Sequence, residues 1–148
     1  MGVALASALG PGMVIVLVGG LGAGKTALTQ GIAAGLGVAG RVTSPTFTMV
    51  ASHPTDGRQE ISTLLHADLY RVSSGEEADD LAIAEQLEAA ALAVVEWGDV
   101  APDVLGADRI KIEILVGPGD DDRELRFEMS DSSVDEGILA SAVEPWTA

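Results

Sequence analysis

Apolar and polar positions along this chain fall into short blocks of two different periods. Met13 to Val18 is an unbroken apolar run closed by Gly19-Gly20, the pattern of a strand buried on both faces. Leu28, Ile32 and Leu36 then recur four apart, which predicts one apolar stripe along a helix, and Gly35, Gly37 and Gly40 end it. Upstream, residues 3–9 read as the end of a short helix stopped by Gly10-Pro11-Gly12. Phe47 to Ala51 and Ile61 to Ala67 read as two strands, with Ser52 to Glu60 as the turn between them. Ser74-Gly75-Glu76-Glu77 opens an acidic helix expected to run to about Ala90, and Ala91 to Val95 is a second buried strand with Glu96 at its tip.

The last third of the chain changes period. Ile110, Ile112 and Ile114 alternate with Arg109, Lys111 and Glu113, and Leu125, Phe127 and Met129 alternate with Glu124, Arg126 and Glu128. Joined through residues 117–122, these predict an antiparallel hairpin with one wet face whose charges are solvated. Ser133-Val134-Asp135-Glu136 fits a capping box opening a tail helix, with Val134, Ile138 and Leu139 inward. With no internal repeat or linker, the expectation is a single α/β domain over residues 1–148. It has a P-loop NTPase-like mixed central sheet flanked by helices and a C-terminal antiparallel hairpin.

Composition narrows what such a domain does. Aromatic residues are only 3% of the chain, so the core is built from aliphatic side chains. Eight basic residues against twenty-three acidic ones give a net charge of −15, which argues against direct strong binding of nucleic acid, since that needs clustered Lys and Arg. There is no cysteine, hence no disulfide framework and no thiolate metal site. Residues 1–24 carry no charge, but no basic segment precedes them and Pro11-Gly12 interrupts them, so they are read as neither a signal peptide nor a membrane span. A cytoplasmic protein without membrane partners is expected.

The chemistry sits between the first strand and the helix after it. Gly19-Gly20-Leu21-Gly22-Ala23-Gly24-Lys25-Thr26 fits G-x-x-x-x-G-K-[ST], the Walker A phosphate-binding loop, in its required strand–loop–helix context. Gly19, Leu21, Gly22, Ala23 and Gly24 are expected to curl backbone N–H groups around a phosphate above a helix N-terminus. Lys25 would reach the β- and γ-phosphate oxygens, and Thr26 would give its hydroxyl to Mg²⁺. A carboxylate is then needed for the metal, and two strand-end candidates exist, Asp68 and Glu96. One would hold the cation and the other orient the attacking water; spacing alone leaves their roles open. Ser44, Thr43 and Thr46, in the loop after the helix, are candidates for a γ-phosphate-responsive switch. His53 and His66 have no ligand-spaced partner and are assigned no metal site. The guanine-reading N-K-x-D element is missing, because the second lysine, Lys111, is followed by Ile112-Glu113-Ile114, which favours ATP over GTP.

Four stretches together carry a resemblance: Leu21-Gly22-Ala23-Gly24-Lys25-Thr26, Ser44-Pro45-Thr46-Phe47-Thr48, His66-Ala67-Asp68-Leu69-Tyr70-Arg71 and Val95-Glu96-Trp97. In this order and in so short a chain, they resemble the TsaE (YjeE) family, the small bacterial ATPase of the tRNA threonylcarbamoyladenosine pathway. The resemblance implies an ATPase that works with the TsaB–TsaD pair, which transfers the threonylcarbamoyl group to tRNA. It further implies Thr26 and Glu96 as the Mg²⁺ pair, Asp68 near the γ-phosphate, and the Ser44–Phe47 loop as switch. Three departures accompany it. Gly20 stands where the family has an acidic or larger polar residue, and Ala27 where a second Thr or Ser is common. The N-terminal strand region that contacts the base is expected to be short or missing. Two other functions fit the same loop: a small-molecule P-loop kinase, for which only Arg41, Arg58 and Arg71 lie near the presumed site, and a nucleotide-gated binding module with little hydrolysis.

Overall fold

The apolar run after Pro11 becomes β1 (Val14–Val18), the strand on which the sheet is built. A glycine-rich loop connects it to α2 (Lys25–Gly35), and α1 (Gly2–Ala6) precedes it. The remaining elements are β2 (Val50–Pro54), β3 (Thr63–Asp68), α3 (Gly75–Asp79), α4 (Ile83–Gln86), β4 (Ala91–Glu96), β5 (Arg109–Val116), β6 (Arg123–Met129) and α5 (Glu136–Val143). This computed structural model describes residues 1–45, 47, 49–87, 90–103, 105, 109–119, 121–130 and 135–144.

The six strands form one mixed sheet in the order β2-β3-β4-β1-β5-β6. The inner four are parallel, and β2 and β6 close the two edges by antiparallel pairing. The α/β fold and C-terminal hairpin expected from the periodicity are therefore present. Parallel pairing brings the C-terminal ends of β1, β3 and β4 to one edge, where Glu96 stands level with Leu17 on one side and Asp68 on the other. Both carboxylates thus meet the end of the glycine-rich loop through register alone.

Two apolar layers cover the sheet. On one face Ile15, Leu17, Leu64, Leu92, Val94, Ile110 and Ile112 pack beneath Leu28, Ile32 and Leu36 of the α2 stripe, with Leu5 and Leu139 beside them. The α1–α2 crossing is built from small residues: a β-carbon added at Gly35 would lie 2.5 Å from Cβ of Ala6, so only glycine admits this approach. On the other face Val14, Val16, Leu65, Ala67, Ala93 and Val95 pack against Leu69, Val72, Ala78, Ile83, Ala101 and Leu105.

Several boundaries differ from the sequence reading. Met49 adopts a left-handed conformation at φ 58°, so the strand expected from Phe47 starts at Val50 and Phe47 stays in the connecting turn. The next strand begins at Thr63, because Ile61 is spent closing a short 3-10 turn at Arg58–Glu60. The helix expected from Ser74 to about Ala90 is two short pieces, broken where Ala82 turns left-handed at φ 49°; Ser74 does cap the first by accepting from the Glu77 N–H. In the tail it is Asp135 that caps α5, accepting from Gly137 and Ile138; Ser133 and Val134 lie outside the described residues. Leu139 is buried as expected, whereas Ile138 is exposed.

Candidate functional site

The glycine-rich loop rises from the end of β1 and is fixed from below. At Gly19 a β-carbon would lie 2.6 Å from the carbonyl oxygen of Ile114, so the loop can leave β1 this close to β5 only without a side chain. Gly22 and Gly24 have φ of 76° and 109°, values other residues adopt at a cost, and open space lies where their side chains would project. From the far hairpin, Arg123 donates through Nε to the Ala23 carbonyl at 2.9 Å. Nothing in the spacing of the loop motif signals this contact, which spans 100 positions of the sequence.

Over the loop and α2 opens a cleft of about 330 Å³, within the range of small-molecule sites. Leu21, Gly22, Gly24, Lys25, Thr26, Ser44, Asp68 and Glu96 line it together with Ala27, Tyr70 and Trp97. Eight of the expected site residues thus converge on one cleft. Gly19 and Ala23 shape the loop beneath it, and Thr46 lies outside the described residues. Thr43 does not line the cleft, nor do Arg41, Arg58 and Arg71. Arg58 pairs with Asp56 at 2.7 Å and donates to the Gly35 carbonyl at the end of α2, and Arg71 lies over the Phe47 ring at 5.6 Å.

Lys25 is the basic side chain of the cleft. Its ammonium donates to the carbonyls of Gly19 and Gly20 at 2.7 and 2.9 Å and lies 3.9 Å from the centre of the Trp97 ring. Burial lowers its pKa, and the negative charges of Glu96, Asp68 and Asp99 act in the opposite direction. Trp97 reaches this position because the backbone turns left-handed immediately after β4, at φ 60°, with its N–H held on the Leu17 carbonyl at 2.9 Å. Tyr70 packs against the same ring, 5.0 Å between centroids.

The two carboxylates have different surroundings. Glu96 is 2% exposed. Its Oε2 accepts from the Thr26 hydroxyl at 2.9 Å, while Oε1 lies 2.8 Å from Nε2 of His66 and 3.4 Å from the Thr29 hydroxyl. Asp68 is half-buried; its Oδ2 accepts from the Ser44 hydroxyl and its Oδ1 from the Tyr70 N–H at 3.0 Å. Gln30 anchors the Ser44 segment to α2 by donating to the Val42 carbonyl at 2.8 Å.

His66 and Thr29 are the residues the sequence reading left without a role. Both had a legible signal. His66 and Asp68 are two apart on one strand, so they share a face, and Thr29 follows Thr26 by three on one helix, so those two share a side. Among the described residues, no cluster of three or more His, Cys, Asp or Glu is arranged to hold a metal, and no helix is long and apolar enough to cross a membrane.

Comparison with known proteins covers the whole of this site. Residues 1–125 match the family model described as "Threonylcarbamoyl adenosine biosynthesis protein TsaE". The tRNA threonylcarbamoyladenosine biosynthesis protein TsaE of Streptomyces coelicolor is 42% identical over 127 residues, covering 85% of this chain and 84% of the relative. The protein of the same name from Bacillus subtilis is 39% identical over 117 residues, covering 79% and 70%. The crystal structure of Bacillus subtilis YdiB superimposes with a TM-score of 0.73 at 30% identity, over 99% of this chain and 86% of that one.

Proposed function

The chain belongs to the TsaE family of threonylcarbamoyl adenosine biosynthesis proteins, and from that premise we propose that it is a Mg²⁺-dependent ATPase. In this reading it supports transfer of the threonylcarbamoyl group to tRNA adenosine by the TsaB–TsaD pair. The observation that carries the proposal is the 2.9 Å contact between the Thr26 hydroxyl and Glu96 Oε2, in a cleft lined by the glycine-rich loop.

The donor set suits ATP and a hard divalent cation. Thr26 and Glu96 offer oxygen ligands of the kind Mg²⁺ takes, with room left for water and phosphate oxygens. The N–H groups of the loop and the N-terminus of α2 suit a phosphate chain, and Lys25 supplies the cationic counterpart to its terminal groups. Mg²⁺ held there would supply positive charge to offset that of the phosphate oxygens. Lys25 is held ready for this task by the carbonyls of Gly19 and Gly20 and by the Trp97 face. Asp68, half-exposed and hydrogen-bonded to Ser44, orients the attacking water and takes up its proton. Because its Oδ2 is tied to Ser44, occupation of the cleft is coupled to the loop around Ser44, the basis for a nucleotide-responsive switch.

Leu21 and Tyr70 line the cleft yet are 80% and 57% exposed. Apolar side chains at the mouth of a site suit contact with a protein partner, and a net charge of −15 suits a protein partner better than a nucleic acid. Lys25 is the only basic side chain among the described residues lining the cleft, which disfavours a kinase for acidic or phosphorylated metabolites.

Mg-ATP hydrolysis by the purified chain, alone and with TsaB–TsaD, tests the proposal. The expected result is slow release of phosphate that rises at least about tenfold with the pair. ATP binding without hydrolysis under either condition, or hydrolysis that depends on an added small-molecule acceptor, would replace it with the gated-binder or kinase reading.

A further inference from the structure

Glu96 is used unevenly at its two oxygens. Oε2 faces the cleft beside Thr26, whereas Oε1 is turned inward to His66 Nε2 at 2.8 Å. Thr29 stands farther from Oε1, at 3.4 Å, and its hydroxyl also lies 3.0 Å from the Lys25 carbonyl. A hydroxyl has one proton, and the shorter contact takes it, so His66 is the firm donor to Oε1.

The imidazole itself fixes its tautomer. His66 is fully buried, and its Nδ1 has no hydrogen-bond partner. A proton on Nε2 meets a carboxylate oxygen and leaves only a lone pair unpaired at Nδ1. The opposite arrangement would bury an unpaired N–H and set a lone pair against a carboxylate, which costs more on both counts. The backbone makes the contact possible: β3 and β4 run parallel, with His66 level with Val94 and Asp68 level with Glu96. The ring therefore stands one same-face step inside the two carboxylates and reaches Glu96 diagonally.

We infer that His66 is a positioning residue that holds Glu96 Oε1, so that Glu96 presents a single oxygen, Oε2, next to the Thr26 hydroxyl for a divalent cation. The inference rests on the reading of Thr26 and Glu96 as the cation pair. It assigns His66 an orienting hydrogen bond from outside the ligand set, of the type that sets the affinity of metal sites. A buried histidine that merely fills the core would contribute to stability and leave cation affinity alone, and this difference is measurable.

The probe is Mn²⁺, its binding to the full chain followed by electron paramagnetic resonance with and without ATP, beside ATP affinity in metal-free buffer. His66→Leu keeps the bulk and removes the donor, and His66→Gln keeps an N–H. In the presence of ATP, His66→Leu is expected to weaken Mn²⁺ binding by about ten- to a hundredfold, with metal-free ATP affinity within about twofold of wild type. His66→Gln recovers most of the loss. Wild-type Mn²⁺ affinity in His66→Leu, alongside a loss in Glu96→Gln, overturns the role of His66 and leaves the cation pair standing. Unchanged Mn²⁺ affinity in Glu96→Gln overturns the cation pair and the inference with it. A fall in metal-free ATP affinity equal to the fall for Mn²⁺ marks a structural histidine and also overturns it.

Where His66→Leu does not fold, the wild-type chain decides. It has two histidines, so the ring nitrogens are readily assigned by ¹⁵N NMR. The His66 Nε2–H tautomer is expected to persist when Mg²⁺ and ATP are added. Loss of that proton from Nε2 means that Glu96 has turned away from the ring, and the inference fails.

Discussion

Asp68 and Glu96 end neighbouring parallel strands at the same level, yet the protein treats them in opposite ways. Glu96 belongs to a central strand, is buried, and is bonded to side chains from α2 and β3. Asp68 ends the strand next to the edge and is bonded to Ser44, in a segment with no regular structure, and to a nearby backbone N–H. The difference lies in what holds each group. Glu96 is fixed by elements that also make the core, so it cannot move without disturbing the fold. Asp68 is fixed by a loop, and can exchange its partners while the fold stays intact. A fixed oxygen suits a cation ligand, and an exchangeable one suits handling of water and protons.

The sharpest way to break this contrast is to truncate both acids. Glu96→Ala is expected to lower hydrolysis by on the order of a hundredfold or more. It should also cost about 1–3 kcal/mol of stability, because the His66 N–H loses its partner inside the core. Asp68→Ala should lower hydrolysis comparably while changing stability by less than about 0.5 kcal/mol. Phosphate-release assays and urea titrations on both variants check this; equal destabilisation by the two would erase the distinction. Next in size, Gly35→Ala drives a methyl into Ala6 and should destabilise the protein by about 1–3 kcal/mol, read as a lower Tm. That result would extend the rigid side of the cleft through α2 into α1.

Ser44→Ala probes the exchangeable side. It is expected to alter hydrolysis by only a few-fold with little change in Tm, because one hydrogen bond at a half-buried site is lost. The smallest effect is expected at His53, whose pKa burial and the neighbouring His66 lower from the ordinary 6.5. As pH falls through 6.5 the unfolded chain takes up this proton before the folded one, so stability is lost until the lowered folded value is passed. His53→Asn should therefore flatten the decline of the urea midpoint in this interval, and a slope identical to wild type would remove His53 as its cause.

The unequal legibility of the sequence follows the same division. The glycine loop, the strand carrying Glu96 and the hairpin could be read because each is a local pattern: an eight-residue motif, an apolar run, an alternation of period two. The α2 stripe at Leu28, Ile32 and Leu36 was legible for the same reason, and all three are buried. The breaks were not. Met49 and Ala82 turn left-handed without being glycine, and no local preference announces that. The Glu96–His66 contact escaped because it needs the strand order and register, which bring residues 66 and 96 together. Arg123 on the loop carbonyl escaped for a stronger form of that reason: it comes from the edge strand β6, 100 positions further along the chain.

That arginine bears on the order in which the site is completed. By the time synthesis has passed Trp97, the chain already contains all the described residues that line the cleft. It still lacks β5, whose Ile114 carbonyl lies under Gly19, and Arg123, which ties down Ala23. The loop is therefore among the first parts written and among the last secured. On the proposed function, a nascent chain would carry the residues of the cleft before the contacts that fix its loop, and nucleotide binding would report that the C-terminal hairpin has closed.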